Sequence, residues 1–374
     1  MLIIILAISF LYLLLIGGFI IGFDNVNNFK EKLLVPKTKF SIVIPFRNES
    51  DNLPRLLDSI LQLEYPKELY EILLIDDAST DDSVLIIKSH LKDTLYDWTI
   101  LKNNPNTSSP KKDALKIGIS ESKYDWIITT DADCILPEEW LNIYDTVVQN
   151  SAYSLIAGPV AYKKPKSFLD HFQNLDFISL MGSTIGSFGL KKPFMANGAN
   201  LAYKKALFHQ LNGFEDDSNI ASGDDVFLLQ KAVRYNSEQV GYLKAEGAIV
   251  LTNPQPTWQQ LVYQRVRWAS KSIYYKSAFS IFTAFTVFFM NILCVILLLS
   301  SITGLTNFFT FLSLFVFKSF LDFILINKTS GFLGHQIPFI RFLISSILYP
   351  FFTTYIVTIS TFKNYDWKGR TFNK

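Results

Sequence analysis

Residues 2–22, LIIILAISFLYLLLIGGFIIG, carry no charged side chain. A run of about 20 apolar residues crosses the hydrocarbon of a bilayer as one helix, because only a helix or a closed barrel satisfies its backbone there. No basic segment precedes the run and no small-residue cleavage pattern follows it, so it reads as an uncleaved anchor. Three more apolar runs lie near the other end. Residues 278–302 are uncharged, 304–326 contain Lys318 and Asp322, and 337–362 contain Arg341 near the start and Pro350 inside. Lys318 and Asp322 stand four apart, so they share a helical face and can pair. The organisation expected is a transmembrane helix in 1–24, a globular domain over 38–255, and an amphipathic interface helix over 256–276. About three membrane segments within 277–362 and a basic tail, 363–374, complete it.

Lysine and arginine near the spans set the orientation. Lys30, Lys32, Lys37 and Lys39 follow the first span, and Lys271 and Lys276 precede the second. The middle domain is therefore expected in the cytosol and the amino terminus outside. The tail KNYDWKGRTFNK is basic, which places it inside, whereas four full crossings leave it outside. One carboxyl-terminal segment is accordingly re-entrant or interfacial in this reading.

Apolar residues make up 49% of the chain and include 33 Phe, which fits a membrane protein. The net charge of +2 gives no reason to expect nucleic acid. Two cysteines, Cys134 and Cys294, lie in unlike segments, which is no disulfide framework. The four histidines are scattered, so no zinc site is expected.

The middle alternates strands and helices. FSIVIPF (40–46), EILLIDD (71–77), WTIL (98–101) and WIITTDAD (126–133) read as buried strands. Helices are expected over 52–63, 82–92, from Ser109-Pro110 to about 121, and after 133 with Pro137, Glu138 and Glu139 in the first turn. Continuous apolar strands alternating with helices argue for an α/β fold with a mostly parallel sheet covered on both faces. Ligands bind such sheets beyond the carboxyl ends of the strands. Asp76, Asp77, Asp131 and Asp133 all fall there. No GxGxxG follows the first strand, so dinucleotide redox chemistry is not indicated.

Each acidic or basic cluster has two readings. IDDAST (75–80) suits hydrogen bonds to a ribose or base, or plain helix capping. Asp131 and Asp133 in TTDADC are two apart, so an extended segment points both the same way. Such a pair suits a hard cation completed by phosphates, or an acidic surface turn. Lys111 and Lys112 open a helix, where an anion would offset their conflict with the helix dipole; otherwise they form a solvated turn. Asp224 and Asp225 open another, as caps or with one as a general base. On QRVRW (264–268), Gln264, Arg267 and Trp268 share a face, either for phosphate and sugar or as an interfacial belt.

In order along the chain, IPFRNE (44–49), IDDAST, KKDALKIG, TTDAD, NGANLAY (197–203), GDDVFL (223–228) and QRVRW together resemble the family-2 glycosyltransferases of the membrane-anchored branch. The closing WKGR (367–370) is similar to membrane members as well. The resemblance covers about residues 38–275 and implies a GT-A, Rossmann-like fold. It implies that Pro45, Arg47, Glu49, Asp76 and Asp77 line a nucleotide pocket, with Lys111 or Lys112 near the phosphates. Asp131 would touch the nucleotide sugar, Asp133 would ligate Mg2+ or Mn2+, and Asp225 would be the base. Asp224, Gln264, Arg267 and Trp268 would serve diphosphate and acceptor, with Asn200 beside the acceptor. Two positions depart from the pattern: Pro110 stands for a glycine and Asp224 for a glutamate.

The resemblance implies inverting, metal-dependent sugar transfer from a UDP- or GDP-sugar to a lipid, lipid-linked or saccharide acceptor. The setting expected is the cytosolic face of a bacterial inner membrane. The alternatives are a small processive polysaccharide synthase and a non-catalytic sugar-nucleotide-binding scaffold. A soluble glycosidase with paired acids would need neither an anchor nor nucleotide motifs.

Overall fold

The computed structural model describes residues 2–362 except 31, 218, 219 and 221, and residues 365–367 and 370–372 of the tail. After α1 (Leu2–Asn25), strands and helices alternate: β1 (Phe40–Phe46), α2 (Leu53–Leu61), β2 (Tyr70–Asp76), α3 (Ser83–Leu91), β3 (Asp97–Lys102), α4 (Pro110–Glu121), β4 (Trp126–Thr129), α5 (Trp140–Asn150). Then come β5 (Leu155–Ala157), β6 (Val160–Tyr162), α6 (Phe168–Gly189), β7 (Leu201–Lys204), α7 (Lys205–Gln210), α8 (Asp224–Asn236), β8 (Val240–Tyr242), β9 (Val250–Thr252) and α9 (Trp258–Ser270). Three long helices follow: α10 (Ala278–Ile302), α11 (Phe308–Phe332) and α12 (Phe339–Ser360).

The main sheet has the order β3-β2-β1-β4-β7-β5-β8. β1 pairs in parallel with β2 and β4, and β2 with β3, while β7 runs antiparallel to β4 and β5. Successive side chains of β1 feed opposite cores. Ile42 and Ile44 pack with Leu56 of α2, Ile87 of α3 and Trp140 of α5. Val43 packs with Leu115 of α4 and Leu229 of α8. This is the mostly parallel, doubly covered sheet that the alternating pattern requires.

Two local expectations need correction. β4 stops at Thr129, and Asp131 to Asp133 form a turn closed by the Cys134 N–H donating to the Asp131 carbonyl at 3.1 Å. Turn geometry, not the pleat, therefore sets how these acids point. α5 starts at Trp140, so Pro137, Glu138 and Glu139 precede it in a separate turn, with the Trp140 N–H on the Pro137 carbonyl at 3.1 Å.

Among the described residues, four helices are long and apolar enough to cross a membrane: α1, α10, α11 and α12. α6 joins their bundle. A Cβ at Gly22 of α1 would lie 2.0 Å from the Gly186 carbonyl oxygen of α6, so glycine lets the two backbones touch. The pattern of α6 hid it from sequence reading, because Asp170 and Asp176 interrupt its apolar residues. Asp170 closes a capping box with Ser167.

α12 packs on α10 as well as on α6 and α9. The end of α11 lies at the sheet domain, where Lys328 pairs with Asp24 at 2.7 Å. Before α12, Asn174 of α6 donates to the His335 ring at 3.2 Å. After it, Arg370 reaches Asp77 beside β2 at 2.5 Å. Along its length Phe352 meets Phe172 of α6, and Ile356 packs on Val266 of α9. The segment before α12 thus meets α6, and Arg370, beyond its end, meets the loop after β2. α12 therefore lies alongside α6 and α9.

Candidate active site

The carboxyl ends of β1, β2 and β4 open into a cavity of about 820 Å³. Pro45, Arg47, Glu49 and Asp77 line it from β1 and the loop after β2, and Asp131 and Asp133 from the turn after β4. Lys111, Asp224 and Asp225 come from the starts of α4 and α8, and Gln264, Arg267 and Trp268 from α9. Residues distant in sequence meet here because a parallel sheet puts its strand ends on one edge.

Lys111 ties the acids together. Its Nζ lies 2.8 Å from Asp131 Oδ1 and 3.5 Å from Asp224 Oδ2. Burial opposes its charge, yet these carboxylates hold the ammonium protonated well above the usual lysine range. Burial would raise the Asp224 carboxyl, but Lys111, Lys112 and Lys271 outweigh it and pull the group below the usual range. Asp225 accepts from the Gly198 N–H at 3.1 Å and the Val226 N–H at 2.7 Å, and Lys271 lies 3.7 Å away. Asp133 is raised by burial and then by Asp131, and accepts from the Thr252 hydroxyl at 3.3 Å.

Beyond Trp268 the cavity continues between the long helices. It is lined by Tyr12, Ile16 and Phe19 of α1, by α10 from Ser280 to Phe288, and by α11 from Lys318 to Ile326. Among the described residues, none of the lining lies before Tyr12 in α1, after Phe288 in α10 or before Lys318 in α11. The cavity thus reaches about half the depth of the bundle from the domain side.

Residues 41–211 match the model of glycosyl transferase family 2. This segment is a family 2 glycosyltransferase domain. The chain is 27% identical over 245 residues to the probable glycosyltransferase YdaM of Bacillus subtilis (strain 168), covering 63% of this chain and 56% of that protein. It is 23% identical over 265 residues to a poly-beta-1,6-N-acetyl-D-glucosamine synthase of Staphylococcus epidermidis, covering 68% of this chain and 61% of that one. It therefore spans less than two thirds of either relative. A Pyrobaculum calidifontis mannosyltransferase, solved in complex with GDP-Man and Mn2+, has the same fold, with a TM-score of 0.53 at 14% identity over 96% of this chain and 98% of that one.

Three residues expected at the transferase site lie elsewhere. Asn200 is fully buried as a strut: it accepts from Trp140 Nε1 at 2.9 Å and from the Tyr144 hydroxyl at 2.8 Å, and its amide donates to the Pro159 and Ala248 carbonyls at 2.8 Å. Lys112 turns away from the cavity, and its buried Nζ donates to the Ile220 carbonyl at 2.9 Å. Asp76 closes the turn after β2 by accepting from the Ser79 N–H at 2.9 Å. Arg47, though in the cavity wall, folds back on the Asp77 and Ala78 carbonyls at 2.6 and 2.8 Å.

The transferase domain also uses residues that the motifs did not single out. A Cβ on Gly198 would meet Asp224 Oδ2 at 3.1 Å, so this glycine brings backbone up to the acid pair. Arg265 pairs with Asp176 at 2.5 Å, lies 4.2 Å from the Trp268 ring centre, and donates to the Gln264 amide oxygen. Arg370 holds Asp77 with Nη1 at 2.5 Å and Nη2 at 3.3 Å. Arg265 was visible inside QRVRW, but only the fold shows its buried partner. Lys368 and Gly369 of the WKGR stretch lie outside the described residues.

The donor set bears on a metal. Asp131, Asp133 and the Thr252 hydroxyl offer hard oxygen atoms, and no group of three His, Cys, Asp or Glu gathers among the described residues. That set fits a divalent cation whose shell is completed by phosphates and water, not an all-protein cage.

Proposed function

We propose that the chain is an inverting glycosyltransferase that moves a sugar from a nucleoside-diphosphate sugar to a hydroxyl of a lipid or lipid-linked acceptor. In this reading a transmembrane helix (1–24) precedes a GT-A domain (38–255), an interface helix (256–276), membrane helices within 277–362 and a basic tail (363–374), with the transferase domain on the cytosolic face of a bacterial inner membrane. The observation that carries this reading is the single cavity that joins the strand-end acids to the interior of the helix bundle. Donor and acceptor can meet in it without leaving the protein.

Asp225 is the base. Two backbone N–H groups fix its carboxylate, and it takes the proton of the acceptor hydroxyl. The acceptor oxygen attacks the anomeric carbon as the bond to the diphosphate breaks, so one in-line displacement inverts the centre. Arg267, on the cavity wall, receives the departing diphosphate. Asp133 and Asp131 would hold Mg2+ or Mn2+, which supplies Lewis-acid charge to the leaving group. Lys111 keeps Asp131 and Asp224 from repelling each other while the donor is absent.

The purified protein in nanodiscs, given a panel of UDP- and GDP-sugars with and without Mg2+ or Mn2+, should release nucleoside diphosphate in a metal-dependent way. Asp225→Asn should lower turnover by about 10²–10⁴-fold while donor affinity stays within a few-fold. Wild-type turnover in that variant would remove Asp225 as the base. Release from no nucleotide sugar would remove the whole reading.

A processive synthase is the second reading, favoured by the relative named as a poly-beta-1,6-N-acetyl-D-glucosamine synthase. A cavity that ends half-way through the bundle favours single transfer. Mass spectrometry of the product separates one added sugar from a ladder.

A further inference from the structure

The membrane-side chamber has a charge pattern that selects among lipids. We infer that it receives the head of an uncharged, hydroxyl-bearing lipid of the diacylglycerol type and disfavours a polyprenyl phosphate. The inference rests on the transferase reading above and names its acceptor.

Among the described residues, the cations that line the chamber on its membrane side, Arg265 and Lys318, are each paired with a carboxylate, and Lys271, nearer the strand-end acids, lies 3.7 Å from Asp225. Lys318 Nζ lies 2.6 Å from Asp322 Oδ2, and Arg265 Nε lies 2.5 Å from Asp176 Oδ2. Both carboxylates accept a second bond from a phenol, from Tyr12 to Asp322 at 2.5 Å and from Tyr349 to Asp176 at 3.0 Å. A phosphate entering here would be desolvated beside two carboxylates and would have to break a buried ion pair to gain a cation. An uncharged head meets no such cost.

The same chamber offers hydroxyl partners. Thr283 of α10 and Ser345 of α12 line it, are 7% and 4% exposed, and have hydroxyl oxygens with no hydrogen-bond partner. Buried hydroxyls of this kind call for a partner, and a glycerol-like head has both donors and acceptors to give. The rest of the wall is apolar, with Ile16, Val287, Phe288, Leu325 and Phe342, and suits acyl chains.

The test uses the full chain in nanodiscs doped with dioleoylglycerol or undecaprenyl phosphate at equal mole fraction, with the donor that the panel identifies. Dioleoylglycerol should be glycosylated with kcat/KM at least about tenfold higher than undecaprenyl phosphate. Asp322→Asn leaves Lys318 without its carboxylate. It should raise KM for dioleoylglycerol and make undecaprenyl phosphate an inhibitor about tenfold stronger than with the wild type, and Asp322→Glu should restore the wild-type preference. Thermal unfolding and donor affinity of the variants report whether they fold. Preferential transfer to undecaprenyl phosphate overturns the inference and leaves the transferase reading intact. Donor turnover that neither lipid accelerates does the same. Absence of donor turnover under every condition overturns both.

Discussion

Lys111 and Asp81 show how differently two charged residues near one strand edge are used. Lys111 bridges acids that would otherwise repel, at 2.8 and 3.5 Å, so its role belongs to the site. Asp81 belongs to the scaffold: it accepts from the Ser50 N–H at 3.0 Å and the Ser83 N–H at 3.1 Å, which clasps the loop after β1 to the start of α3. Burial pushes its carboxyl up, but the hydrogen bonds from Ser83 and Ser50 together outweigh it and lower the group to about 2. A carboxyl whose folded value lies below its unfolded one stabilises the fold fully above the unfolded value, ~3.9, and loses that contribution as pH falls toward 2. Asp81→Ala should therefore cost about 1 kcal/mol at neutral pH, the usual worth of a cap, and progressively less below pH ~4. Denaturant melts of both proteins across that range check it; a pH-independent difference would contradict the assignment. Helix capping beside this acid was readable from IDDAST, because capping is local. The bond to Ser50 was not, because it joins residues about thirty positions apart in the chain.

At the scale of elements, one buried ion pair ties α6 to α9. Asp176 of α6 and Arg265 of α9 are both nearly buried, with side chains 6% and 7% exposed. Removing one partner leaves an uncompensated buried charge. Arg265→Met alone should destabilise the protein by about 3–5 kcal/mol, and Arg265→Met with Asp176→Leu should recover most of that loss. Thermal melts in detergent of the single and double variants measure the difference. An additive double variant would mean the pair is not coupled. The sheet elements themselves were legible, since continuous apolar strands and 3.6-residue helical spacing are local signals. α6 was not, because Gln173, Asn174 and Asp176 find their partners in distant segments: Gln255, His335, Arg265 of α9 and Tyr349 of α12.

At the scale of the whole molecule, the path of α12 sets the side of the tail. Hydropathy allows four crossings, while the contacts of His335 with α6 and of Arg370 with Asp77 fit a path in which α12 lies along the domain and three helices cross. Single cysteines introduced at Gly334 and at Thr361, in a chain with Cys134 and Cys294 replaced by serine, should react with a membrane-impermeant maleimide from the same side. Labelling from opposite sides would mean that α12 crosses.

By itself, the sequence determined the membrane helices, the doubly covered sheet and the strand-end placement of the acids. Each of these follows from local periodicity, run length and the backbone's need for partners. Only the tertiary structure decided which side chains share the cavity. Lys111 enters it and Lys112 does not, Asn200 is a strut, Arg370 returns to Asp77, and Lys318 and Asp322 meet Tyr12 across helices. These outcomes depend on contacts between segments up to several hundred residues apart, and no local pattern encodes which buried charge finds which partner.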